Sequence, residues 1–321
     1  MGEEIKHKIV VLGAGESGVG AALLAKKQGL EVFVSDAGAS LKESYQTLLD
    51  EHEIPYETGQ HSEDIILKAH EIIKSPGIPN HNDIVVKAQE ANIPIISEIE
   101  FAARHTKARI IAITGSNGKT TTTLLLYHVL KSAGYNVGIG GNIGEGFARQ
   151  LAEGANYDFW VIEISSFQLE HCFEFNPEIA IILNITPDHL DRYENNFQNY
   201  INTKFRLIQN LEKDQSFIFF RDNPAIGREV RKRVSTAEFL PISITDSLEN
   251  GAFLKNEALN FHIKKDVRTL QFSQEDFKLK GKHNMINVMA AVLACMKLGM
   301  PDDQLRSYFK TFQGVEHRLE E

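Results

Sequence analysis

The stretch Thr114-Gly115-Ser116-Asn117-Gly118-Lys119-Thr120-Thr121 follows an apolar run from Ile110 and precedes the apolar-periodic segment Leu124 to Leu130. Strand, glycine-punctuated turn and helix in that order form a phosphate-binding loop. The glycines let the backbone turn tightly and aim N–H groups at an anion. The helix N-terminus adds positive potential, Lys119 adds a full charge, and the Thr120 hydroxyl can ligate Mg²⁺. The usual pattern places a glycine five residues before Gly118, where this chain has Ile113. A plain strand–helix turn is the alternative; binding of a nucleoside triphosphate is the reading adopted.

Further polar residues sit where strands are expected to end. The strand expected over Phe159 to Ile164 carries Glu163 near its carboxyl end, and a carboxylate buried there without a cation would be costly. It reads as a metal ligand or water-orienting group. The run Asn184-Ile185-Thr186-Pro187-Asp188-His189-Leu190-Asp191-Arg192-Tyr193 follows the strand Ile179 to Leu183, and His189 between two aspartates is a metal candidate. Gly140-Gly141-Asn142-Ile143-Gly144 exposes backbone around one amide side chain. Lys204 and Arg206 fall on a helix expected over 197–211, and a solvated basic face is the ordinary meaning of such charges. Asn284 and Asn287, three apart, share one helical face and can read a base.

A second glycine turn, Gly13-Ala14-Gly15-Glu16-Ser17-Gly18, follows the strand Lys8 to Leu12 and opens a helix, and Asp36 ends the next strand. This is the spacing of a dinucleotide-binding turn. The glycines alone leave NAD or FAD, another nucleotide, or close packing open. Ser75-Pro76-Gly77-Ile78-Pro79 lies at a strand's carboxyl end, where open α/β sheets bind ligands; a proline-set turn is the alternative.

The elements that must position these residues alternate. Helices are expected over 41–51, 62–69, 82–90 and 98–104, with strands near Tyr56, over Glu71 to Lys74 and over Ile93 to Ile96. The polar joint His105-Thr106-Lys107 divides a domain at 1–106 from one at 107–312, with 313–321 as the start of a linker. The second has a core strand at Phe217 to Phe220, an antiparallel flap or edge extension over 253–272, a small-residue-rich helix to Lys297 and a last helix opened by Pro301. The fold class is thus α/β, a Rossmann-like unit followed by a phosphate-loop ATPase-like unit.

At 321 residues the chain can build two cores. A net charge of −9 argues against a nucleic-acid or anionic-membrane surface. No apolar run approaches the roughly 20 residues that span a bilayer, and the N-terminus lacks the layout of a signal peptide. Cys172 and Cys295 offer neither a disulfide framework nor metal-ligand spacing and read as reduced core residues. A cytoplasmic protein is expected.

Taken together, the segment 114–121, Gly141-Asn142-Ile143-Gly144, Glu163-Ile164-Ser165-Ser166-Phe167-Gln168-Leu169, the 184–193 run, His283-Asn284 with Asn287, and His317-Arg318 resemble the Mur ligases of peptidoglycan synthesis. The resemblance spans both domains, and the loop from Ser75 and the Ser-Ser-Phe-Gln-Leu run look most like the D-glutamate-adding branch. It also accounts for Ile113, since these ligases lack the first loop glycine. It implies an ATP-dependent amide-bond ligase that phosphorylates the carboxylate of UDP-N-acetylmuramoyl-L-alanine and couples it to D-glutamate, releasing ADP and phosphate.

By the same resemblance, Gly115, Ser116, Asn117, Gly118, Lys119, Thr120 and Thr121 hold the ATP phosphates, and Asn284, Asn287 and Arg318 hold its base and ribose end. Thr120 and Glu163 hold one Mg²⁺; His189 and Lys204 hold a second, Lys204 being carbamylated. Gly15, Ser17, Asp36 and Ser75 receive the uridine nucleotide in place of NAD, although Ala37 stands where many relatives carry a hydroxyl. Asn142, Ser165 and Gln168 line the muramoyl arm. The expected protein is a monomer with no nucleic-acid or membrane partner. Family members continue past His-Arg into a third, amino-acid-binding domain, so a chain ending at Glu321 is expected to keep affinity for the uridine substrate, bind ATP weakly and ligate poorly. Other Mur ligases, folylpolyglutamate synthetases, an NAD-dependent dehydrogenase and a non-catalytic nucleotide module are the rival readings.

Overall fold

The computed structural model describes residues 7–314. His317 and Arg318 lie outside them. The chain packs as two compact units. One gathers the described chain up to Lys107 with Gly144–Asn156 and Phe167–Phe175; the other gathers Ala108–Ile143, Tyr157–Ser166 and the chain from Asn176 onward.

The first unit alternates β1 (Lys8–Leu12), α1 (Glu16–Lys27), β2 (Glu31–Asp36), α2 (Glu43–Glu51), β3 (Tyr56–Thr58), α3 (Glu63–Ile66), β4 (Glu71–Lys74), α4 (Asp83–Glu90), β5 (Ile95–Ile96) and α5 (Glu98–Ala103). All strands are parallel, in the order β3-β2-β1-β4-β5, so the order reverses between β1 and β4. The Gly13 turn and the Ser75 turn leave those two strands side by side. Two helices are capped by side chains, Asn82 accepting from Ile84 N and Ser97 from Glu100 N. The helix expected over 62–69 stops at Ile66, where Lys68 N and Ala69 N bond three residues back and the chain tightens to return into β4. The strand expected from Ile93 shortens to two residues because Pro94 has no N–H to offer the ladder.

The second unit contains β6 (Arg109–Thr114), α6 (Lys119–Ser132), β7 (Val137–Gly141), β8 (Phe159–Glu163), β9 (Ile179–Ile182), α9 (Phe197–Lys204), β10 (Ser216–Phe220), α10 (Pro224–Val230), β11 (Glu238–Ser243), β12 (Gly251–Lys255), β13 (Ala258–Ile263), β14 (Arg268–Ser273), α11 (Lys282–Lys297) and α12 (Asp302–Phe309). Between β7 and β9 the chain also forms α7 (Phe147–Ala152) and the short α8 (Ser166–Leu169), and α7 belongs to the first unit, packed on α1 and α5.

One nine-stranded sheet runs β14-β13-β12-β11-β10-β9-β6-β8-β7. Its inner strands are apolar on both faces, as in β9, where every residue is buried. β12 to β14 continue the same sheet as an antiparallel edge, β12 pairing parallel with β11 and antiparallel with β13. β13 there alternates half-buried and buried residues, the mark of a sheet with one wet face. The core lies between this sheet and the helices α6 and α11, whose Ala290, Ala291 and Ala294 are wholly buried. The helix expected over 197–211 ends at Lys204 and tightens into a 3₁₀ turn over Phe205–Ile208, because Phe205, Leu207 and Ile208 must all be buried and no single α-helical face serves them.

Candidate nucleotide and metal site

β6 lies between β8 and β9, with Ile113 opposite Glu163 and Thr114 opposite Ile182. The phosphate loop, Glu163 and the 184–193 run therefore emerge from three adjacent strand tips. Gly118 caps α6 with φ +85°, and a Cβ there would come within 2.5 Å of Asn287 Oδ1, so glycine is required by conformation and by space. Lys119 Nζ donates to the carbonyls of Gly115 and Ser116, each at 3.1 Å, which keeps its charge on the loop.

Glu163 is 1% exposed. Thr120 Oγ1 donates to its Oε2 and Asn142 Nδ2 to its Oε1, both at 2.9 Å. A hydroxyl and a carboxylate in contact beside a phosphate loop are hard oxygen donors of the kind Mg²⁺ takes together with phosphate. Asn142 thus braces the carboxylate, and its own N–H bonds Glu163 O at 2.8 Å.

Lys204 is 1% exposed, against the sequence expectation of a solvated basic face. Its Nζ donates to Gly115 O at 3.0 Å and lies over the Tyr200 ring, 4.7 Å from the centroid. Burial, then the nearby Lys119 charge, press its pKa down to about 7 against the pull of Asp188. A protonated Lys204 has no lone pair for a metal, and Mg²⁺ takes oxygen rather than amine nitrogen, so the side chain would fit a Mg²⁺ site as a carbamate. His189 is 57% exposed, holds a left-handed backbone at φ +48°, and has Nε2 3.6 Å from Asp188 Oδ2. Among the described residues no group of three or more His, Cys, Asp or Glu is placed to hold a metal ion.

Two of the loop's own N–H groups are spent on the neighbouring strand tip. Ser116 N donates to Asn184 O at 2.9 Å and Asn117 N to Asn184 Oδ1 at 2.8 Å. Sequence reasoning quoted Asn184 but gave it no role; its signal was an amide at a strand end facing a phosphate loop. Asn284 and Asn287 do share a face, Asn287 Nδ2 donating to Asn284 Oδ1 at 3.3 Å, and Asn287 abuts Gly118.

In the first unit Gly15 is the exposed cap of α1 and Ser17 sits in its first turn. Asp36 is spent on backbone: Ala14 N donates to Oδ2 at 2.6 Å and Gly38 N to Oδ1 at 2.7 Å. Ser75 Oγ donates to Gly13 O at 3.2 Å. Gly18 faces that carbonyl so closely that a Cβ would fall 1.8 Å from it. Gln168 is buried in this unit, whereas Ser165 is half-buried in the second. Both cysteines are buried thiols outside any disulfide.

A strand that ends in a phosphate loop between two parallel neighbours, with a hydroxyl-bonded carboxylate on the next strand tip, defines a nucleoside-triphosphate-binding α/β protein. Residues 113–295 match the Mur ligase middle domain, and residues 7–97 match the Mur ligase MurD-like N-terminal domain. The UDP-N-acetylmuramoylalanine–D-glutamate ligase of Bacteroides fragilis is 49% identical over 98% of this chain and 69% of its own length. The enzyme of that name from Porphyromonas gingivalis is 45% identical over 99% of this chain and 70% of its own. In structure, the chain resembles the UDP-N-acetylmuramate:L-alanyl-γ-D-glutamyl-meso-diaminopimelate ligase from Neisseria meningitides, with TM-score 0.65 and 18% identity over 97% of this chain and 99% of that one. The UDP-N-acetylmuramate–alanine ligase from Thermotoga maritima gives TM-score 0.55 and 22% identity over 96% and 69%. At such identities these two show the shared fold. The chain belongs to the Mur ligase family, the ATP-dependent, Mg²⁺-using ligases of peptidoglycan synthesis. No helix among the described residues is long and apolar enough to cross a membrane.

Proposed function

We propose that this chain carries the nucleotide and uridine-substrate sites of the ligase that joins D-glutamate to UDP-N-acetylmuramoyl-L-alanine. The substrate assignment is supported by the two relatives above, which bear that activity in their names and are 45–49% identical. The observation that carries the ATP site is the Thr120–Glu163 contact at the mouth of the phosphate loop.

The reaction must bring two anions together, a carboxylate and the γ-phosphate, so it needs charge neutralised and reactants aligned more than it needs covalent catalysis. Lys119 and the first N–H groups of α6, which have no partner within the helix, bind the polyphosphate. Thr120 and Glu163 hold one Mg²⁺, which supplies electrophilic stabilisation of the transferring phosphoryl group. Asn142 keeps the Glu163 carboxylate facing the hydroxyl. The carboxylate of the substrate attacks the γ-phosphorus and ADP leaves; the amine of D-glutamate then attacks the acyl phosphate and expels phosphate. Asn284, Asn287 and Arg318 receive the base and ribose.

A second Mg²⁺ is assigned to His189 with a carbamylated Lys204. Support comes from burial and the nearby Lys119 charge, which against the pull of Asp188 leave much of the amine uncharged near neutrality, the form that adds CO₂. Intact-mass measurement without acid treatment is expected to show one CO₂ increment, lost in Lys204→Ala. Gly15, Ser17 and Ser75 take the uridine diphosphate, with Asp36 shaping the turn from behind; Ser165 and Gln168 serve the muramoyl arm. The protein is a cytoplasmic monomer with domains at 1–106 and 107–312. Isothermal titration tests the reading: UDP-N-acetylmuramoyl-L-alanine and a non-hydrolysable ATP analogue with Mg²⁺ should each bind one site. Binding of NADH in place of the uridine substrate, or no binding of the analogue, would remove it.

A further inference from the structure

The phosphate loop is joined to the 184–186 segment by more than neighbouring strands require. Asn184 presents a whole carboxamide to the backbone of one loop residue: Oδ1 accepts from Asn117 N at 2.8 Å, and Nδ2 donates to Asn117 O at 2.9 Å. Its own carbonyl accepts from Ser116 N at 2.9 Å. The Ser116 hydroxyl closes the join, donating to Thr186 O and accepting from Thr186 N, both at 3.0 Å. With its proton committed there, Ser116 Oγ takes the Tyr200 hydroxyl at 3.1 Å as an acceptor. Behind the segment, buried Asn223 donates from Nδ2 to Ile185 O at 3.1 Å while its Oδ1 caps α10 at Ile226 N.

This pairing has chemical consequences. Only a primary amide offers a donor and an acceptor side by side, able to meet both the N–H and the C=O of one residue. An aspartate at 184 would set an oxygen against Asn117 O, and an alanine would leave both backbone groups of Asn117 without this partner. The loop's shape is thus imposed from β9, and the N–H groups of Ser116 and Asn117 are withdrawn from the anion, leaving phosphate binding to the amides at the start of α6. The same short segment runs on through Pro187 to Asp188 and His189.

We propose that Asn184 is a positioning residue for the nucleotide: its side-chain amide holds the phosphate loop in its phosphate-receiving shape and ties it to the segment bearing Asp188 and His189. The proposal rests on the reading of this loop as the ATP site. It assigns to the amide of the 184–193 run a function distinct from binding ligand itself.

The test uses the 321-residue chain, with a non-hydrolysable ATP analogue and Mg²⁺ in titration calorimetry. Hydrogen exchange is read at Ser116 and Asn117, and UDP-N-acetylmuramoyl-L-alanine affinity serves as the check on folding. Asn184→Asp and Asn184→Ala should each weaken the analogue about tenfold or more, speed exchange at Asn117, and leave the uridine substrate bound as in the parent. Asn223→Asp keeps the helix cap and loses only the donor to Ile185, so it should weaken the analogue about threefold even if the Asn184 variants fail to fold. Faster exchange with unchanged analogue affinity would reduce Asn184 to a loop staple and overturn the proposal. If the parent itself does not bind the analogue, the ATP-site reading falls and takes this proposal with it.

Discussion

The two glycine turns follow the same plan and differ in charge. Each sits at the carboxyl tip of a parallel strand where the sheet order reverses, and each opens a helix. At Gly13–Gly18 the local carboxylate, Asp36, faces inward and is consumed by backbone N–H groups. At Gly115–Thr121 the local carboxylate, Glu163, faces a hydroxyl, and two lysines converge on the Gly115 carbonyl. Backbone geometry makes an anion site in both places; the side chains around it decide which anion. On the function proposed above, the first turn takes a diphosphate held by amides alone and the second a polyphosphate that brings a divalent cation.

The strongest way to break this contrast is Lys119→Ala. It should weaken the ATP analogue about 100-fold while leaving the uridine substrate unaffected, since a charge-assisted contact to phosphate is worth about 2–3 kcal/mol. A comparable loss at both ligands in titration would show that the turns are not independent. Conversely, Gly18→Ala forces a methyl group into the Gly13 carbonyl. It should cost about 2–3 kcal/mol of stability in urea melts and weaken the uridine substrate, with the analogue still bound once the chain is folded.

A second contrast concerns buried acids. Glu163 has donors on both oxygens, whereas Glu98 is 2% exposed with Oε1 accepting from Ala148 N at 2.5 Å and Oε2 without a hydrogen-bond partner. Burial, opposed by the Ala148 hydrogen bond and reinforced by Glu16, raises its pKa to about 7. Between about 4.5 and 7 the folded chain then holds a proton that the unfolded chain has lost. Stability therefore falls as pH rises through that window, by about 3 kcal/mol. Glu98→Gln keeps the acceptor and removes the charge, so it should match the parent in melting temperature at pH 4.5 and exceed it at pH 8. Equal melting temperatures at both pH values would show that Glu98 stays charged. The smallest effect is expected for Glu163→Gln: about a tenfold loss of analogue affinity with Mg²⁺ and little change in EDTA. An equal loss in both would mean that the carboxylate serves the loop and not the cation.

Much of this was legible from residue order. The β-branched run into Gly115 is a strand because buried parallel strands need nothing polar on either face, and the glycines announce the turn that follows. Glu163 could be placed at a strand tip by counting from Phe159. Where the reading failed, the cause was packing. Lys204 looks like one charge on a polar helix, and nothing in its neighbours says that the helix buries it under the phosphate loop. Asp36 carries the spacing of a ribose-binding acid, and only the fold shows that its oxygens also accept from Ala14 N and Gly38 N. The strand β11 and the helix α7 were not anticipated, because Pro241 interrupts the first and glycines flank the second.

Local order in the chain therefore decided the two anion-binding turns, the strands that carry them and the residue types available at their tips, since each depends on periodicity and turn chemistry within about ten residues. Only tertiary structure decided which of those residues meet. Thr120 with Glu163, Lys204 with Gly115 and Asn184 with Asn117 are pairings between residues separated by 43, 89 and 67 positions. Their contact follows from the order β9-β6-β8 in the sheet, which brings distant strand ends to within one hydrogen bond.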